Sequence, residues 1–136
     1  MVLQRMKVTW SNWDQIYERT MVNPDDVMDF VRQLHLASPT PPSMVEIYDE
    51  TTYAAIAIGV GGHNRETVVT FQASLDPPYF ISAGDRLRGG VVSYCYGQEL
   101  SEYLANNLVP WDAGLAAVEE FLRTGKHPRC IEWERL

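Results

Sequence analysis

The chain has 136 residues, a net charge of −7 and a pI near 4.8. That length fits one domain, 1–136, able to bury a core without disulfide or metal staples, and the composition, 46% hydrophobic and 21% charged, is that of a soluble globular protein. The acidic balance argues against a nucleic-acid partner, which calls for a basic face, and no run approaches the ~20 apolar residues of a membrane span.

Met6 to Trp10 predicts a first strand, with Val8 and Trp10 on one face. Trp13 and Tyr17 fall in a short connecting element. Asn23 suits an N-cap, Pro24 the first helical position, and Asp25 and Asp26 the positive end of the helix dipole. The helix should run to about Leu36 and bury Val27, Phe30, Val31 and Leu34. The proline-rich segment 38–42 reads as a stiff loop.

The pattern then changes to strands. Met44, Glu46 and Tyr48 alternate with Val45 and Ile47. Tyr53 to Val60 is apolar on both faces and reads as a central strand. Gly59, Gly61, Gly62, His63 and Asn64 form a turn, and Glu66 to Leu75 answers as the next strand, broken off by Asp76-Pro77-Pro78. Tyr79 to Ser82 and Val91 to Tyr96 are further strands, joined by the loop Ala83 to Gly90. Gln98 to Val109 reads as a loop.

A second helix follows Pro110. Leu115, Val118, Phe121 and Leu122 recur at helical spacing, and Gly125 and Pro128 stop it. Lys126 and His127 sit where cations suit the helix end. Arg129 to Glu134 alternates as a closing strand, with Cys130 and Glu132 opposite Ile131 and Trp133. Phe121 and Trp133 are expected in the core. Helix, strands, helix, strand predicts an α+β fold: a mostly antiparallel sheet with two main helices packed on one face.

Catalytic signals are weak. His35 lies near a helix end, His63 in a glycine turn and His127 after a helix stop, none at metal-ligand spacing with another ligand. Cys95 and Cys130 read as buried free thiols, although a tertiary contact between Cys95 and a histidine would make a dyad. Glu119 and Glu120 are adjacent on a helix and form a solvated face. The glycines at 59–62 lack the Lys-Ser/Thr pair of a phosphate loop. No catalytic residue, metal or cofactor is expected.

The charges are more telling. Gly89 to Leu122 contains no Lys or Arg, and neither does Gln33 to Asn64, which holds Glu46, Asp49 and Glu50. Acids beside large aromatics suit a basic protein partner, so Asp49, Glu50, Tyr96, Glu99, Glu102 and Tyr103 are candidate partner-binding residues. The alternative stays open: Tyr96 and Trp111 belong to the core, and the acids only keep a loop wet.

Phe121, Leu122, Thr124, Gly125, Pro128 and Trp133, with Gly89–Tyr94 and Val109-Pro110 upstream, resemble the closing segment of the Imm1 family of bacterial immunity proteins. The resemblance covers residues 86 to 136. It implies a non-enzymatic inhibitor whose partner is a cognate polymorphic toxin, commonly a nucleic-acid deaminase that holds its own catalytic zinc. Such a toxin needs a basic substrate groove, which an acidic protein can occlude. The initial ten residues carry Arg5 and Lys7 without an apolar signal segment, so a cytoplasmic location is expected. A small hydrolase or a ligand-binding α+β domain is the alternative.

Overall fold

Alternating apolar side chains build the first element. Strand β1 (Met6–Ser11) buries Met6 and Val8 and pairs antiparallel with β2 (Ile16–Met21). The computed structural model describes residues 5–62 and 65–136; His63, Asn64 and residues 1–4 lie outside it. The region of Trp13 and Tyr17, expected as a connector, is thus largely the second arm of a hairpin. The Asn12 side chain closes the turn by accepting from the backbone N–H of Asp14 and Gln15 at 2.9 and 2.8 Å. Trp10 and Tyr17, opposite each other, stack with centroids 5.4 Å apart.

Helix α1 (Pro24–Leu36) begins as its cap predicts, with Asn23 accepting from the Asp25 N–H at 2.9 Å. It buries Val27, Met28, Val31 and His35, with Phe30 and Leu34 partly covered. After it come β3 (Ser43–Tyr48) and β4 (Ala55–Val60), which is buried throughout and lies in the middle of the sheet.

The run from Glu66 to Leu75 does not form one strand. It divides into β5 (Glu66–Thr67) and β6 (Val69–Gln72), with Val68 between them. Thr67 Oγ1 donates to the Gly59 carbonyl at 2.7 Å, and the Gly59 N–H donates to the Val68 carbonyl at 3.0 Å. These bonds let β5 leave the main sheet while β6 stays in it. Glycine is required at 59, because a Cβ there would run into the Tyr94 ring.

β7 (Tyr79–Ser82) and β8 (Val91–Tyr96) fall where the sequence places them. The segment 98–109 is not a loop. Glu99–Leu104 forms β9, a hairpin partner of β8; a 3₁₀ turn at Ala105–Asn107 and β10 (Val109–Pro110), paired with β5, complete it. In β9 Leu100, Glu102 and Leu104 share one exposed face and Glu99, Ser101 and Tyr103 the other, so neither face is uniformly apolar and the period-2 signal on which strand prediction depends is lost.

Helix α2 (Trp111–Thr124) ends at Gly125, which takes φ 70° and donates to the Phe121 carbonyl at 2.7 Å. Gly114 lets it lie close to β5; a Cβ there would stand 2.5 Å from Thr67 Cγ2. The closing strand β11 (Trp133–Arg135) pairs with β7 and is shorter than expected. Residues 128–132 instead wrap the end of α2, and the Arg129 N–H donates to Glu120 Oε2 at 2.6 Å. Cys95 is buried as expected, but Cys130, off the strand, is exposed.

The result is α+β. The main sheet runs β11-β7-β6-β4-β3-β1-β2, antiparallel throughout, and its one parallel pairing joins β8 to β3 at Ser43–Cys95. Both helices pack on one face over Val8, Ile47, Ile56, Ile58 and Phe71, and Phe121 there is fully buried. Trp133 is only partly buried against that core, its Nε1 donating to the Pro128 carbonyl at 2.9 Å. His127 is no helix-end cation. Its ring stacks on Phe71 at 4.6 Å between Phe80 and Trp133, and burial lowers its pKa, opposed only in part by Glu120. The other face carries a second cluster, in which Val92 and Tyr94 of β8 cover Met44, Ala57 and Ile81.

Candidate functional site

The β8–β9 hairpin covers only the Gly59 end of the second face. At the other end, β3 and β4 present Glu46, Tyr48, Ala55 and Ala57 to the surface side because alternate residues share a face. Three depressions of ≈ 200, ≈ 180 and ≈ 310 Å³ open there, and all three are lined by Glu46. The small side chains of Ala55 and Ala57 make the floor low. Tyr48, Tyr53, Tyr79 and Tyr96 stand around it.

The Tyr96 hydroxyl donates a hydrogen bond to Glu46 Oε2. Burial, reinforced by the Glu46 charge, holds that phenol well above its ordinary pKa, so it stays a neutral donor. Glu46 and Tyr96 are fifty residues apart. The hairpin turn that brings them together is fastened to β1: the Gln98 N–H donates to Ser11 Oγ at 3.2 Å, and the same oxygen lies 3.4 Å from Cys95 Sγ.

The six residues singled out by sequence do not form one patch. Asp49 and Glu50 follow β3 at the end away from the Ser43–Cys95 pairing, whereas Glu99 lies opposite Tyr96 at the hairpin tip. Asp49 Oδ1 accepts from the Thr51 N–H at 2.8 Å, and its main chain brackets the same turn with Tyr53 and Ala54. Glu50 binds Lys7 Nζ at 2.7 Å, which lowers its pKa, and Lys7 also holds Glu18 at 2.7 Å. Glu99 and Glu102 are exposed. They are three apart on a strand and therefore point to opposite faces of the hairpin. Tyr103 is partly covered against Tyr94, and burial raises its pKa. Tyr96 alone of the six lines the cleft.

Glu46, which the sequence did not single out, is the residue shared by the three depressions. Its signal was present: a carboxylate between Val45 and Ile47, on the strand face it shares with Tyr48 and with Met44, which the hairpin buries. Trp111 belongs to the helix side, stacked on His35 at 3.7 Å, while His35 Nδ1 accepts from the Gly61 N–H at 3.1 Å. Among the described residues no three His, Cys, Asp or Glu groups come together to hold a metal ion, and no helix is long and apolar enough to cross a membrane.

Fold and surface define a class: a small acidic α+β protein with helices on one sheet face and an aromatic-walled cleft on the other. The family model for immunity protein Imm1 matches residues 15–135, and the chain belongs to that family. Membership implies neutralisation of a toxin, a cognate toxin as partner and a non-enzymatic role. No curated protein matches the chain significantly.

Proposed function

We propose that this protein inhibits its toxin stoichiometrically by covering the toxin's active site, and that the toxin is a nucleic-acid deaminase. The observation that carries this reading is charge. The chain is −7 overall; its second sheet face displays Glu46, and the hairpin beside it carries Glu99 on one side and Glu102 on the other. A protein that acts on nucleic acid must present a basic groove to the phosphates. An acidic inhibitor competes for that groove and gains in association rate from the opposite fields. Tyr96 and Tyr103 support the hairpin that carries Glu99 and Glu102. Asp49 and Glu50 remain candidate contacts at the far end of β3, with Glu50 already sharing Lys7.

The test is co-expression of the chain with the toxin domain encoded beside it, followed by capture and a deamination assay on single-stranded DNA and RNA. A one-to-one complex that abolishes deamination supports the proposal. A complex that leaves turnover intact refutes occlusion, and a toxin without deaminase activity refutes the target.

A further inference from the structure

The cleft on the second sheet face contains one charged side chain, and it is negative. Glu46 stands where the three depressions meet, and no Lys or Arg is among the described residues that line them. Lys7 lies two positions along β1 from Thr9 but is held between Glu18 and Glu50 at 2.7 Å each. Among the described residues Glu46 has one hydrogen-bond donor, the Tyr96 hydroxyl on Oε2, which leaves Oε1 to whatever enters the cleft. Glu46 is half-buried, so its second oxygen is open to water and equally to a cationic donor brought by a partner.

The walls select among cations. Four tyrosines surround a floor of alanines, and flat rings stack on a planar guanidinium. Guanidinium is also more weakly hydrated than ammonium and tolerates such a site better. Around the cleft stand large apolar side chains in water: Ile16 is 52% exposed, Leu75 62% and Leu136 71%. Exposed apolar side chains at the margins of each depression suit a protein partner, because its seating would exclude water from the ion pair.

We infer that the Glu46 cleft is a socket for an arginine side chain of the partner toxin, with Glu46 as the accepting carboxylate and Tyr96 as the residue that positions it. This rests on the neutralisation reading above. It moves the centre of the interface from the acidic segments to the sheet itself.

The test uses the whole chain and the toxin domain encoded beside it, with binding measured by calorimetry. Glu46→Gln keeps shape and the bond from Tyr96 but removes the charge, and should weaken binding about 30-fold or more, mostly through faster dissociation. Gln72→Arg, from the adjoining wall on β6, keeps Glu46 but fills the cleft with a guanidinium of its own, and should weaken binding comparably. Each variant's melting temperature is recorded; if Glu46→Gln fails to fold, Gln72→Arg decides. Double-mutant cycles with single Arg→Ala variants of the toxin domain should show one arginine whose loss is not additive with Glu46→Gln. Folded variants that bind as the wild type does, or full additivity for every toxin arginine, overturn the socket and leave neutralisation standing. Failure of the wild-type chain to bind the toxin overturns both.

Discussion

The two faces of the sheet solve different problems. The helix face is sealed: Val8, Ile47, Ile56, Ile58 and Phe121 have no exposed surface, and two capped helices close over them. The second face is covered at one end by Tyr94 and Val92 and left open at the other, where Glu46 sits among tyrosines. The first face stabilises the protein through apolar burial. The second withholds part of that stabilisation, keeping a carboxylate and apolar side chains at the surface. If the cleft is where the toxin seats, stability and recognition are separable: damage to the helix face should lower melting temperature, and changes on the cleft face should alter binding first.

The largest effect expected is from Phe121→Ala. The ring is fully buried and meets Phe71 edge-on at 5.8 Å, so its loss should cost about 3–5 kcal/mol in denaturant unfolding. A loss below about 1 kcal/mol would mean that the helix face is not the stability centre. Trp133→Ala should cost less, roughly 2 kcal/mol, because the indole is only partly covered. If that variant melts like the wild type but no longer binds toxin, Trp133 belongs to the interface and the division between faces fails.

The helix face should also be sensitive to acid. His127 lies in an aromatic stack with its folded pKa below the ordinary 6.5. The unfolded chain then binds this proton more readily than the native one, so stability is complete above about pH 6.5 and declines as pH falls through that value. Replacing His127 with Phe should flatten the decline in stability as pH falls below about 6.5; an unchanged slope would assign the acid sensitivity to other groups.

The smallest stability effects belong to Glu99→Lys and Glu102→Lys, each within about 0.5 kcal/mol because both side chains are exposed. They point to opposite faces of the hairpin, so they should not act alike on toxin association. The one facing the toxin should slow association and reduce its dependence on salt, measured by stopped flow. Equal effects from both would show that the toxin senses the overall field and not one face.

The sequence by itself determined the helices and most of the sheet. Asn23-Pro24 and Gly125 are local signals that act through main-chain geometry, so α1 and α2 carry the predicted ends. The apolar alternation of β3 and the doubly buried run of β4 were legible because burial on a pleated sheet repeats every two residues. The family was legible in the same way, through the residues that end α2 and lead into β11. Tertiary structure decided the rest. Whether 98–109 is loop or strand depends on pairing with β8, a long-range contact that edge residues with weak propensity do not announce. Whether His127 is a cation depends on Phe71, Phe80 and Trp133, brought from three other elements. Glu46 and Tyr96 meet only when the hairpin carries Tyr96 across fifty residues to the carboxylate, a contact set by long-range pairing that no local pattern announces.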